Sequence, residues 1–111
     1  MIYSICLMRD GNPLTLDHGS RYIYIHSDNS ELIRATYGRY PSAWAGLRAG
    51  TFLESIERAA MCLDSVCLLH PQDIKNYITG SFTDPVAVRD AYRRLIAACS
   101  NYPDARVEVD T

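Results

Sequence analysis

TFLESIERAAMCLDSVCLLH, residues 51–70, is the stretch whose reading decides the fold. No Gly or Pro interrupts it. Pro71 closes it, because a residue before proline is biased away from helical angles, here His70. At about 100° per residue, Phe52, Ile56, Ala59, Ala60, Leu63, Val66 and Cys67 fall in one stripe, with Leu53 at its edge. A stripe this wide suits a helix laid against a globular core. Glu54, Glu57, Arg58, Asp64 and Ser65 take the opposite side, and Glu54 precedes Arg58 by one helical turn, the favourable order. Thr51 and Glu54 have capping-box spacing, so the helix is expected to start at Thr51.

Two residues break the pattern. Met61 and Leu68 sit in the middle of the polar face. The plain expectation is that another segment of the chain covers them. The alternative is an exposed apolar pair that anchors a partner.

Toward the N-terminus, residues 1–8 (MIYSICLM) read as a buried strand, ended by the turn residues Asp10-Gly11-Asn12-Pro13. The run has no basic segment before it and is too short to read as a secretion signal. Residues 14–17 are a short strand or an extended loop. Residues 21–27 (RYIYIHS) alternate: Ile23 and Ile25 point one way, and Tyr22, Tyr24 and His26 the other. The two strands are expected to pair antiparallel. A helix should follow, capped by Asp28 or Ser30 and ended by Gly38, with Leu32, Ile33, Thr36 and Tyr37 inward. Residues 41–49 suggest a short helix stopped by Gly50.

Toward the C-terminus, Pro71 should open a short helix to about Thr79, ended by Gly80. Asp84-Pro85 opens the last helix, whose stripe is Val88, Ala91, Tyr92, Leu95, Ile96 and Cys99. Residues 106–110 (RVEVD) alternate as a strand would. The predicted fold class is therefore α+β, in a single domain over residues 1–111. A small antiparallel sheet, made of the N-terminal hairpin and a C-terminal strand, packs on four or five helices around the long central one. A helical bundle with an N-terminal hairpin is the alternative.

The 111 residues can bury a real core without metal or disulfides. A net charge of −2 gives no general pull toward nucleic acid or membrane, and no stretch is long and apolar enough to span one. Cys6, Cys62, Cys67 and Cys99 form no C-x-x-C pair, so they are expected to be reduced, mostly buried thiols rather than metal ligands. A cytoplasmic location is expected. The basic residues are almost all arginine, with Lys75 the lone lysine, a bias that suits a GC-rich bacterial or phage genome.

No cluster carries a specific chemical signature. There is no nucleophile elbow and no phosphate-binding glycine loop, and the carboxylates are scattered. His26 reads as a structural histidine before a base, and His70 as a helix-end group. No cofactor, metal or catalytic residue is expected, and the chain does not read as an enzyme; a small Cys/His enzyme is the weakest alternative. Three constellations remain. The Tyr/Arg set comprises Arg21, Tyr22, Tyr24, Arg34, Tyr37, Arg39, Tyr40 and Arg48, residue types that anchor interfaces. Its best candidate contacts are Tyr22, Tyr24, Arg34, Arg39 and Tyr40, with Met61 and Leu68 as a rival patch. Arg89, Arg93 and Arg94 lie on the second helix of a weak helix-turn-helix outline at 71–99, the nucleic-acid alternative. The segment's near-balanced charge is a poor footprint for DNA.

The expected function is a small non-enzymatic protein-binding module. It would act as a stoichiometric inhibitor or regulator that covers the working surface of a larger bacterial protein or complex. Phage and mobile-element anti-defence proteins, such as anti-CRISPRs, and immunity proteins are of this kind. A nucleic-acid partner is not favoured, no membrane partner is expected, and a homodimer is left open.

Overall fold

A computed structural model describes residues 1–16, 19–67 and 83–111, with only the backbone at Val66 and Cys67. The elements in chain order are β1 (Ile2–Arg9), β2 (Asn12–Pro13), β3 (Ile23–His26), α1 (Ser30–Tyr37), α2 (Ala49–Cys67), α3 (Pro85–Asn101) and β4 (Arg106–Asp110). The α+β class and the small antiparallel sheet stand. The expected four or five helices do not: the described residues form three α-helices. Residues 41–44 make only a 3-10 turn (Pro41–Trp44). The expected helix at 71–79 lies outside the described residues, as do Asp17, His18, Leu68 and His70.

β1 is the hub of the sheet, pairing antiparallel with each of the other three strands. Ser4 and Ile5 are paired on both edges, with Tyr24 and Ile23 of β3 and with Asp110 and Val109 of β4. The first strand is thus locked to the last through the longest loop closure in the chain. Beyond β4, Gly46 N–H donates to the Val107 carbonyl at 2.7 Å and Val107 N–H to the Leu47 carbonyl at 2.8 Å. Those bonds cover part of an edge that would otherwise invite pairing.

The helices lie on one face. Ile5 and Leu7 of β1, Ile23 and Ile25 of β3 and Val107 of β4 are buried with Leu32 and Ile33 of α1, Phe52, Ile56, Ala59 and Leu63 of α2, and Val88, Tyr92 and Leu95 of α3. The period-2 residues of the strands meet the period-3.6 stripes of the helices in one cluster. Trp44 sits in it, its ring 5.2 Å from Tyr37 and 5.3 Å from Phe52. Tyr92 is fully buried, and its hydroxyl shares a 2.7 Å hydrogen bond with Thr36 of α1.

Helix ends show where local reading fails and where it holds. α2 starts at Ala49, two residues before the expected cap, so Thr51 lies within the first turn and Glu54 in the second. Ala49 and Gly50 donate their N–H groups to the carbonyls of Ala105 and Pro103, at 2.8 and 2.9 Å. The approach to β4 thus takes the role expected of the Thr51 side chain. Gly50 permits it: a Cβ there would come within 3.1 Å of the Pro103 oxygen. Neither Asp28 nor Ser30 caps α1; a 3-10 turn (Ser27–Asn29) leads in, and His26 Nδ1 accepts from Asp28 N–H at 3.1 Å. Gly38 does end α1, at φ 103°, in the left-handed region where glycine has no steric penalty. Asp84 caps α3 as expected, accepting from the N–H groups of Val86 and Ala87. The side-chain amide of Asn29, buried beneath, accepts the Asp84 N–H at 2.8 Å and ties α3 to the start of α1.

Candidate partner-binding face of the sheet

Because side chains alternate along a strand, the face opposite the helices carries Ile2, Ser4, Cys6 and Met8 of β1. From β3 it carries Tyr24 and His26, with Tyr22 just before the strand, and from β4 it carries Arg106, Glu108 and Asp110. The register sets transverse rows. Ser4 lies between Tyr24 and Asp110, Cys6 faces Glu108, and Met8 faces Arg106. Tyr22 and Tyr24 stack on each other, with centroids 6.1 Å apart and planes inclined by 29°. Tyr24 is 60% exposed and Ile2 50%. Ser4, Cys6, Met8, Tyr22, Glu108 and Asp110 line a shallow depression of about 380 Å³. One wall is aromatic and the other is made of two carboxylates.

Cys6 lies at the floor of this depression and is only 7% exposed. Burial raises its thiol pKa above the usual cysteine value, and the nearby carboxylates of Glu108 and Asp110 raise it further. A thiol held protonated is a poor nucleophile. Cys99, in the core, is pushed up to about 12 by burial alone. The Nδ1 of His26 is occupied as the acceptor of the Asp28 backbone N–H at 3.1 Å. The described residues hold no group of three or more His, Cys, Asp or Glu side chains that could bind a metal ion. Their arrangement can present aromatic, apolar and anionic surface.

The residues expected to contact a partner divide into separate places. Tyr22 and Tyr24 stand together on the outer face of the sheet. Arg34 and Tyr40 belong to the helical side, where both are taken up by Glu31: Tyr40 Oη donates to Oε1 at 2.6 Å and Arg34 Nε to Oε2 at 3.1 Å. The Arg34 guanidinium also lies 5.8 Å from the Tyr40 ring centre. Hydrogen bonds from Tyr40 and Arg34 hold the Glu31 carboxyl below its ordinary pKa. Arg39 lies beyond α1, at a second depression between α1 and α2. Met61 is 71% exposed, so no segment among the described residues covers it. Arg89, Arg93 and Arg94 are on α3, whose buried side packs against α2 and β3. The first helix of the helix-turn-helix outline lies outside the described residues.

Cys6, Glu108 and Asp110 were missed as members of a surface. The alternation of RVEVD was visible, but its pairing with β1 is a long-range contact with no local signal. Comparison with protein-family models, with curated proteins and with solved structures finds no match. No helix among the described residues is long and apolar enough to cross a membrane.

Proposed function

We propose that the chain is a protein-binding module, a stoichiometric inhibitor or regulator that uses the outer face of its sheet to cover the working surface of a larger protein. The observation that carries this reading is the one-sided sheet. Helices bury one face, while the other displays stacked tyrosines, an exposed isoleucine and two carboxylates around a shallow depression. Aromatic anchors with a polar rim are the usual anatomy of a recognition surface. The carboxylates set the partner's chemistry. Glu108 and Asp110 complement lysine or arginine side chains and repel phosphates, so the occupant is a protein with a cationic patch rather than a nucleic acid. An inhibitor of the anti-defence or immunity kind would act in this way, by occlusion and without turnover.

The test is capture by the tagged chain from bacterial lysate, with nuclease and across a salt series, repeated with Tyr22→Ala/Tyr24→Ala and with Glu108→Gln/Asp110→Asn. The expected result is one stoichiometric protein that survives nuclease, weakens with salt, and is lost with either double variant while the melting temperature stays put. Capture unchanged by both variants overturns the reading. Capture of nucleic acid, lost with Arg89→Ala/Arg93→Ala, would transfer the function to α3.

A further inference from the structure

A second depression of about 380 Å³ lies between the C-terminal end of α1 and the first turns of α2, away from the outer face of the sheet. This is within the size range of small-molecule sites. Its floor is apolar, with Phe52, Leu47 and the Tyr37 ring. The polar side chains among its lining residues are those of Arg39, Tyr37, Thr51 and Ser55. Among the described residues the lining holds no carboxylate, and Arg39 makes no ion pair. Tyr37 is hydrogen-bonded to Ser55, and burial raises its pKa, so the phenol brings no negative charge at neutral pH.

We propose that this depression binds a small aryl carboxylate, with Arg39 pairing with the carboxylate and the half-buried Tyr37 and Leu47 receiving the ring. One guanidinium matches one carboxylate through two parallel hydrogen bonds. A phosphate dianion would call for more positive charge than the lining holds. The helix N-terminus does not supply the binding: Ala49, Gly50 and Thr51 already donate their N–H groups to Ala105, Pro103 and Arg48. Anion recognition therefore falls to side chains, with the Thr51 hydroxyl as the second donor. The site is independent of the sheet face and of the protein-binding reading.

Trp44 provides the readout, because it is the only tryptophan and contacts both Tyr37 and Phe52. Benzoate is titrated against Trp44 fluorescence, with acetate and benzyl alcohol as controls for charge alone and ring alone. The expected result is saturable binding of benzoate that weakens at least about tenfold in Arg39→Gln, the size expected for losing a charged hydrogen-bonded partner. Arg39 is exposed, so the variant should melt with the parent protein. An amide chemical-shift map should place the changes at Gly38, Thr51 and Phe52. No saturation by benzoate, equal binding in Arg39→Gln, or equal binding of benzyl alcohol overturns the assignment.

Discussion

The two faces of the sheet are made by the same strands and differ in every physical respect. On β3, Ile23 and Ile25 are 0% and 3% exposed, while Tyr24 between them is 60% exposed. A shift of one residue in register would exchange them, so burial of the isoleucines fixes what the tyrosines present. The inner face secures the fold. The outer face is left free of that duty, and its chemistry can answer to a partner.

The largest effect should come from breaking the inner face. Ile25→Ala removes buried methyl and methylene groups between the sheet and α3, and should cost about 3 kcal/mol. In a chain of this size that is a fall of roughly 10 °C in melting temperature, read by calorimetry or circular dichroism. Loss of partner binding in this variant would follow from loss of the fold. A melting temperature left unchanged would mean that the inner face is not the core.

A smaller effect tests a polar contact within the same layer. Tyr92→Phe deletes the hydroxyl shared with Thr36 and should cost about 1 kcal/mol. It also sets an alkaline limit. Burial pushes the Tyr92 pKa up from its ordinary value of 10.0, so the folded state holds this proton more tightly than the unfolded chain. Its contribution is fully present below pH 10 and is lost as pH rises from there toward the folded-state value. Denaturant melts from pH 9 upward should show a decline in stability that is flatter in Tyr92→Phe.

Patterns that repeat within one element were legible. The stripe of α2 through Phe52, Ile56, Ala59 and Leu63, the alternation of β3 and of 106–110, the Asp84-Pro85 start and the Gly38 stop depend on neighbours in sequence, and the structure has them. Some of what failed is local, as where a 3-10 turn replaces the expected Asp28 or Ser30 cap of α1, and the rest depends on distant chain. Thr51 carries a capping-box signature, yet α2 opens two residues earlier because Pro103 and Ala105 accept its first N–H groups. The Tyr/Arg set was visible as residue types, but only the fold sends Tyr22 and Tyr24 to the sheet, Arg34 and Tyr40 to Glu31, and Arg39 to a separate depression. Glu108 and Asp110 became neighbours of Cys6 through the pairing of the first and last strands.

Truncating an outer-face tyrosine separates stability from recognition. Tyr24→Ala on the outer face should change stability by no more than about 0.5 kcal/mol, since an exposed ring loses little on truncation. The same substitution should weaken capture of a protein partner by at least about tenfold, as for an aromatic anchor. A destabilisation matching that of Ile25→Ala would erase the distinction between the faces.

The smallest effect reads the electrostatics of the outer face directly. Cys6 sits among Glu108 and Asp110, whose negative charges disfavour the thiolate and raise its pKa beyond what burial alone does. Replacing both carboxylates, as Glu108→Gln/Asp110→Asn, removes that repulsion and leaves the burial. The Cys6 pKa should fall, the thiolate fraction at any fixed pH below it should rise, and alkylation by iodoacetamide should speed up. Mass spectrometry of the peptide containing Cys6, sampled over time at pH 8, measures the rate at that site alone. Cys99 is the internal control, because its raised pKa comes from burial without those carboxylates, and its rate should not respond. Acceleration at Cys6 alone would show that the two carboxylates act on the floor of the depression, where a cationic partner would meet them. Equal rates in parent and variant would show that solvent screens them, and the case for a cationic partner would lose its electrostatic basis.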